Sequence, residues 1–367
     1  MRPGSGRTKT RSRRSILEGL RRCVCPGFGG LALAALAALL SLSAQLSAGG
    51  QAPKAHPEGS TQIKVDVDLV TLRVTVTDDQ GNPFTGLKAD NFRVFDNDIE
   101  QAIRHFSVED RPFTMGLVLD RSGSMIMMID DVYQAAFHTI RASKSEDEFF
   151  ILTFDDRLDL RQDFSMNRQL LQKQLKGVTA RGSTALWDAV AAGLEKVRKG
   201  SHEKKALLVV TDGEDNRSYL SFGDLLERAR QEEIAIYTVG LFERSEWSPV
   251  SFLSGLLGRA PQQRGGPSRG NRLSITLLTE LAEATGGRAY FPSTMAECDQ
   301  VCIAIAQELR QQYEVGYYPQ PKLAEGGWRS VQVQLQLPAD LSGKGLMARA
   351  RPGYFAPRDQ HANLSKH

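Results

Sequence analysis

Four cysteines in 367 residues are too few for a disulfide-built scaffold. Cys23 and Cys25 precede an N-terminal apolar run and are expected to leave with it. Cys298 and Cys302 stand four apart in a helical pattern, which holds their Cβ atoms too far apart for easy bridging. Both are expected as half-buried small residues. The six histidines are scattered, so no zinc-type cluster is evident. Ser122-Gly123-Ser124 lacks the Gly-x-Ser-x-Gly elbow, and no histidine is obviously placed as a base. Internal repeats are absent. Excess positive charge is also scarce where it would matter. The formal charge is +3, but residues 1–48 carry eight Lys/Arg against the single acid Glu18, a local +7 that leaves −4 for the remainder. That balance gives no basic footprint for nucleic acid.

What the N-terminus does have is a targeting pattern. A basic region ends at Arg22, an apolar Ala/Leu run occupies residues 31–40 within 28–46, and small residues cluster at Ser47-Ala48-Gly49-Gly50. The run is short for spanning a bilayer, which favours cleavage near residues 44–49 over a retained anchor. Ser12-Arg13-Arg14-Ser15-Ile16-Leu17 has a faint likeness to a twin-arginine signal. The chain is expected to be exported to the periplasm, the cell envelope or the medium.

The rest divides by its grammar. Residues 49–60 read as a linker. Residues 61–111 alternate apolar and polar and form an N-terminal β element: one long strand with a bulge, or two, over 63–77, then 92–95 and 103–108 around the turn Asp96-Asn97-Asp98. Over 112–312 strands and helices alternate, the mark of a parallel-sheet α/β domain. Strands are expected at 116–119, 149–154, 206–210, 234–239 and 288–291, with 158–164 as a hairpin partner. Helices are expected near 128–140, 168–176, 185–198, 222–231, 273–284 and 295–312. A polar, Gly/Pro-rich insertion, about 244–272, reads as flexible, with 251–257 as a possible short helix. Residues 313–356 return to β grammar and 357–367 form a tail. Neither β set is large enough to bury a good core alone. The expected fold is therefore α/β, a doubly wound, mostly parallel Rossmann-like sheet, flanked by a small β-sandwich built from the N- and C-terminal strands.

The chemistry centres on Asp120-Arg121-Ser122-Gly123-Ser124, which follows the apolar strand Leu117-Val118-Leu119. Asp120, Ser122 and Ser124 alternate along a tight loop, so their oxygens can converge. Thr184 lies in Arg181-Gly182-Ser183-Thr184, before a helix, and Asp212 ends another apolar strand. In doubly wound sheets ligands gather beyond the carboxyl ends of strands where strand order reverses. Two carboxylates and three hydroxyls there suit a hard cation such as Mg²⁺, Mn²⁺ or Ca²⁺.

This order of residues resembles the metal-ion-dependent adhesion site of von Willebrand factor A domains. Leu208-Val209-Val210-Thr211-Asp212-Gly213 and Ile236-Tyr237-Thr238-Val239-Gly240 resemble bacterial members. The flanks, Gly86-Leu87-Lys88-Ala89-Asp90-Asn91-Phe92 and Arg351-Pro352-Gly353-Tyr354 among them, resemble an exported family described in Acidobacteria. The likeness covers roughly residues 61–356. It implies that Ser122, Ser124 and Thr184 ligate the metal directly, with Thr184 doing so in the ligand-competent state. Asp120 and Asp212 would act directly or through water, and a partner's carboxylate would complete the shell. The implied cation is Mg²⁺, with Mn²⁺ or Ca²⁺ as alternatives. The implied partner is a protein or peptide supplying an acidic residue, and membrane contact arises only if the signal segment is uncleaved.

Plainer readings exist for each residue. Asp120, Ser122 and Ser124 are also good helix caps. Asp155, Asp156 and Asp159 read as a solvated acidic turn, Glu214 and Asp215 as loop charges, and Met125–Met128 as core and helix start. A phosphatase with Asp120 as nucleophile would want a second acid two residues on, where Ser122 stands. A structural envelope protein with a vestigial site is the third reading. The expectation is a non-enzymatic binding protein.

Overall fold

In a computed structural model, residues 69–108, 110–242, 269–321 and 326–356 are described. All of them fall within one unit, Val65–His367. The signal-peptide and linker readings, the first residues of the 63–77 strand, the suggested 251–257 helix and the tail lie outside the described residues.

The central strand is β5 (Phe113–Asp120), buried at every position. It pairs in parallel with β6 (Glu148–Phe154) on one side and β8 (Lys204–Thr211) on the other. β9 (Ala235–Gly240) and the two-residue β10 (Ala289–Tyr290) extend the β8 side in parallel. β7 (Leu158–Ser165) closes the other edge antiparallel to β6. The order β10-β9-β8-β5-β6-β7 therefore reverses between β5 and β8.

Alternation along β5 decides what covers each face. Phe113, Met115, Leu117 and Leu119 pack with α1 (Ile129–Ala142), α2 (Arg168–Leu175) and α6 (Met295–Arg310). Val118 faces α3 (Leu186–Val197), α4 (Phe222–Gln231) and α5 (Arg269–Glu283). Gly116 on that second face is required by space: a Cβ there would stand 2.2 Å from the Phe150 ring.

The remaining strands form two antiparallel sheets. One has the order β13-β1-β11-β4, from β13 (Met347–Arg349), β1 (Val70–Thr77), β11 (Tyr313–Tyr317) and β4 (Ile103–Val108). The other has the order β14-β12-β2-β3, from β14 (Gly353–Phe355), β12 (Trp328–Leu335), β2 (Phe92–Asp96) and β3 (Ile99–Gln101). In each sheet strands from before and after the α/β domain pair directly, with Leu72 opposite Val315 and Val94 opposite Val333. Leu72, Val74, Phe92, Val94, Tyr313 and Val315 share one core. The sandwich is thus a single body drawn from both ends of the chain, as its half-sized strand sets require.

Buried ionic groups join and brace these parts. Asp96 accepts from Arg329 Nε (2.7 Å), Tyr317 Oη and Tyr354 Oη (2.9 Å each) inside the sandwich. Glu308 of α6 accepts from Tyr237 Oη of β9 (2.5 Å) and pairs with Arg349 of β13, so it links helix, parallel sheet and sandwich. Burial raises the Tyr237 hydroxyl well above its ordinary value. Arg310 holds Asp147 (2.6 Å) and Asp110 (2.7 Å) at the crossing into β5.

Several expectations need correction. β3 was not anticipated, because Ile99 and Glu100 are exposed and carry no apolar alternation; the left-handed Asn97 and Asp98 turn the chain into it. α5 begins at Arg269, so residues 269–272 are helical and do not belong to a flexible insertion. Cys298 and Cys302 are fully buried free thiols on α6 rather than half-buried ones.

Asp96→Ala should strand the buried Arg329 charge and two tyrosine hydroxyls. We expect a loss of about 3–5 kcal/mol in urea unfolding of the whole chain. A loss below about 1 kcal/mol would show that the network contributes little.

Candidate metal centre at the carboxyl edge of the sheet

Asp120 is the last residue of β5, and the β5–β8 register sets Leu119 beside Val210. The next residues, Asp120 and Thr211, meet: Thr211 Oγ1 donates to Asp120 Oδ2 at 2.7 Å. Asp120 Oδ1 accepts the backbone N–H of Ser122 at 2.8 Å, which bends the chain into the following turn. Residues Gly123–Met127 form a 3₁₀ turn in which the Ser122 side chain makes no capping bond. The Ser122 and Ser124 hydroxyl oxygens instead lie 3.1 Å apart. The capping reading of Ser122 is therefore not realised.

The second loop docks on the first. Gly123 N–H donates to Gly182 O (3.0 Å), and Arg181 N–H donates to Arg121 O (2.8 Å). Gly182 has φ +76°, and a Cβ there would press to 3.2 Å from an Asp156 carboxylate oxygen, so glycine is needed twice over. Thr184 is buried and ties this loop to the third: its N–H donates to Asn216 Oδ1 (3.0 Å), and its carbonyl accepts from Asn216 and Arg217 N–H. Each pair among the three loops is thus hydrogen-bonded, the third pair through Thr211 and Asp120. Asp212 is buried in the third loop and accepts Glu214 N–H at 3.0 Å.

Electrostatically the centre is short of positive charge. Burial, then the neighbouring Asp212 carboxylate, pushes Asp120 up to about 7 despite the Thr211 and Ser122 hydrogen bonds. A bound cation would relieve both causes. The donors are all oxygen, two carboxylates with hydroxyls, which fits a hard divalent ion. Among the described residues no group of three or more His, Cys, Asp or Glu is arranged to hold a metal. Any cation here would depend on the hydroxyls as well.

Sequence reasoning missed the support beneath these loops. Asp155, read as a solvated turn charge, is buried because its carboxylate pairs with Arg121 (3.0 Å) and Arg181 (3.6 Å) and accepts Arg157 N–H (2.8 Å). Its carbonyl accepts Ala185 N–H at 2.9 Å, next to Thr184. Asp215, read as a loop charge, accepts Leu186 N–H (2.8 Å) and so caps α3, whose preceding residue Ala185 cannot. Met125 and Met128 are core, but Ile126 and Met127 between them are 64% and 56% exposed, two and three residues after Ser124. Only the placement of Arg121 inside the serine motif hinted at any of this.

Comparison with known proteins places a family match within the α/β part. Residues 115–256 match the model of the von Willebrand factor type A domain. The protein sll0103 of Synechocystis sp. is 27% identical over 137 residues, covering 35% of this chain; the match spans 32%, about a third, of that protein's length. Among solved structures, the conserved hypothetical protein BatB from Bacteroides thetaiotaomicron aligns with 55% of this chain and 100% of its own, at 13% identity and a TM-score of 0.42. A von Willebrand factor type A protein from Catenulispora acidiphila aligns with 74% of this chain and 76% of its own, at 10% identity and a TM-score of 0.42. The α/β part of the chain has the fold of a von Willebrand factor A-type domain.

Asp155→Asn leaves the buried Arg121 guanidinium without its counter-charge. Backbone amides of Gly123, Arg181 and Ala185 should then exchange with solvent about 100-fold faster, while β5 and β8 amides keep their protection. Unchanged exchange at those three amides would remove Asp155 from this role.

Proposed function

We propose that this chain is an exported binding protein that recognises an acidic residue of a protein or peptide partner through a divalent cation, most simply Mg²⁺. The observation that carries the reading is the pairwise closure of three loops around Asp120, Ser122, Ser124, Thr184 and Asp212. Ser122, Ser124 and Thr184 would hold the ion with their hydroxyls, and Asp120 and Asp212 directly or through water. When bound, the ion supplies a Lewis-acidic point of attraction for an incoming carboxylate. The chain's own part is to keep that point under-neutralised, because hydroxyl ligands bring no charge.

Exposed Ile126 and Met127 flank the serines and suit apolar side chains beside the partner's acid. Export rests on the N-terminal pattern of basic, apolar and small residues and on flanking segments that resemble exported relatives. Among the described residues no helix is long and apolar enough to cross a membrane. The charge balance outside residues 1–48 does not suit nucleic acid.

The phosphatase reading is disfavoured by a specific feature. Both Asp120 oxygens already accept hydrogen bonds, from Ser122 N–H and Thr211 Oγ1, and the residue is fully buried. Such a carboxylate is poorly disposed to attack a phosphate.

Two measurements test the proposal. Titrating Mg²⁺ or Mn²⁺ into wild type and Ser122→Ala should show affinity falling at least about 10-fold in the variant, with an unchanged circular dichroism spectrum. Equal affinity in both would remove Ser122 from the site. Selection from a random peptide library in Mg²⁺ should return Asp- or Glu-containing peptides with apolar neighbours, all released by chelator. Peptides retained in chelator would contradict the metal-bridged mechanism.

A further inference from the structure

β10 is an edge strand: β9 pairs with it on one side, and among the described residues no strand lies on the other. Its register shows which main-chain groups are spare. Ala289 stands opposite Thr238, and Thr238 N–H donates to Arg288 O at 3.2 Å. In a parallel ladder that bonding aims Arg288 and Tyr290 at β9 and turns the N–H and C=O of Ala289 outward. An edge with spare main-chain groups is a template for a further strand.

A groove of about 730 Å³ runs along this edge. α6 forms one wall with Glu297, Gln300, Val301, Ala304 and Gln307, spaced three or four apart on one face of the helix. The other wall is the turn of residues 80–82, which follows β1. Asp78 fixes that turn: its carboxylate accepts Gln80 N–H (3.0 Å), Asn82 N–H (2.8 Å) and Asn82 Nδ2 (3.1 Å). From Glu297 to Gln307 the helical wall spans about 15 Å. That is room for four or five extended residues at about 3.3 Å each.

The lining indicates what would lie there. Its formal charges are one of each sign, and both are engaged. The Arg288 guanidinium stands 5.3 Å from the centre of the Tyr290 ring, and Glu297 accepts Ser293 N–H at 2.6 Å. Gln80, Gln300 and Gln307 add carboxamides, with Val301 and Ala304 as apolar surface between them. A charged ligand would find no free counter-charge in such a lining, whereas a neutral peptide meets both amide and apolar partners. A glycan would want a bare aromatic face. Neither ring offers one: Tyr290 lies between Arg288 and the core, and Phe291 is stacked by Phe242 at 5.8 Å and packed on the second core.

We propose that this edge binds an extended, uncharged peptide segment of a partner protein. The segment pairs with the outward N–H and C=O of Ala289 and sets alternate apolar side chains against Val301 and Ala304 of α6. The inference is independent of the metal centre, because neither a cation nor an acidic side chain takes part.

Hydrogen exchange of the intact protein in chelator tests it, with capped hexapeptides that alternate valine with threonine, serine or asparagine. At saturation the Ala289 amide should exchange at least about 10-fold more slowly. Peptides N-methylated at every amide, which can donate from neither edge, should lose the effect. Ala289→Pro removes the outward N–H and should weaken peptide binding by at least about 10-fold; the methylated peptides decide the matter if that variant does not fold. No slowing with any of the peptides, or equal slowing with the methylated ones, would overturn the proposal. Slowing by a soluble glucan, or by raising the protein concentration alone, would overturn the assigned partner in favour of a glycan or a second copy of the chain.

Discussion

The contact on which the rest depends is the one between Asp120 and Thr211. It exists because β5 and β8 are parallel neighbours whose registers end together, at the place where strand order reverses. That single 2.7 Å hydrogen bond joins the first loop to the third. It also places two carboxylates, Asp120 and Asp212, close enough to disturb each other inside a buried centre. Burial and the Asp212 carboxylate both disfavour ionisation of Asp120, and the Thr211 and Ser122 hydrogen bonds offset part of that.

The second loop is fastened differently. It has no strand of its own at the switch point and is held by backbone hydrogen bonds to Arg121 and Gly123 and by the carboxylate of Asp155. A buried ion pair is weak support for stability in general, but it specifies geometry when several donors share one acceptor. Asp155 meets that description, serving two arginines and the Arg157 amide at once. Closure of the three loops therefore depends on this buried support as well as on the backbone hydrogen bonds between them.

The sandwich follows a similar logic at a larger scale. Its sheets are each stitched from both ends of the chain, and its ionic groups, Asp96 within it and Glu308 at its border, are buried and multiply hydrogen-bonded. α6 leads directly into β11 and carries Glu308 and Arg310 in its last turn. Any movement of that helix would therefore be felt in both parts of the chain.

Local pattern was enough to read the alternation of strands and helices, the β grammar at both ends and the order of Asp120, Ser122, Ser124, Thr184 and Asp212. The first two are short-range properties, apolar periods of two or 3.6 and turn residues; the third is a spaced order of residue types that begins in the loop of residues 120–124 and continues at 184 and 212. Pattern missed β3, whose exposed residues have no periodic signature, and misread Asp155, Asp215, Ile126 and Met127. Whether an aspartate is solvated or clamped between two arginines depends on groups far off in the chain, and burial of that kind leaves no mark on neighbouring residues. Composition and spacing alone determined which side chains were available at the carboxyl edge. Only the tertiary structure decided that three loops close on one another there, because closure needs the β5–β8 register and the Asp155 pairings, and both are contacts between distant segments.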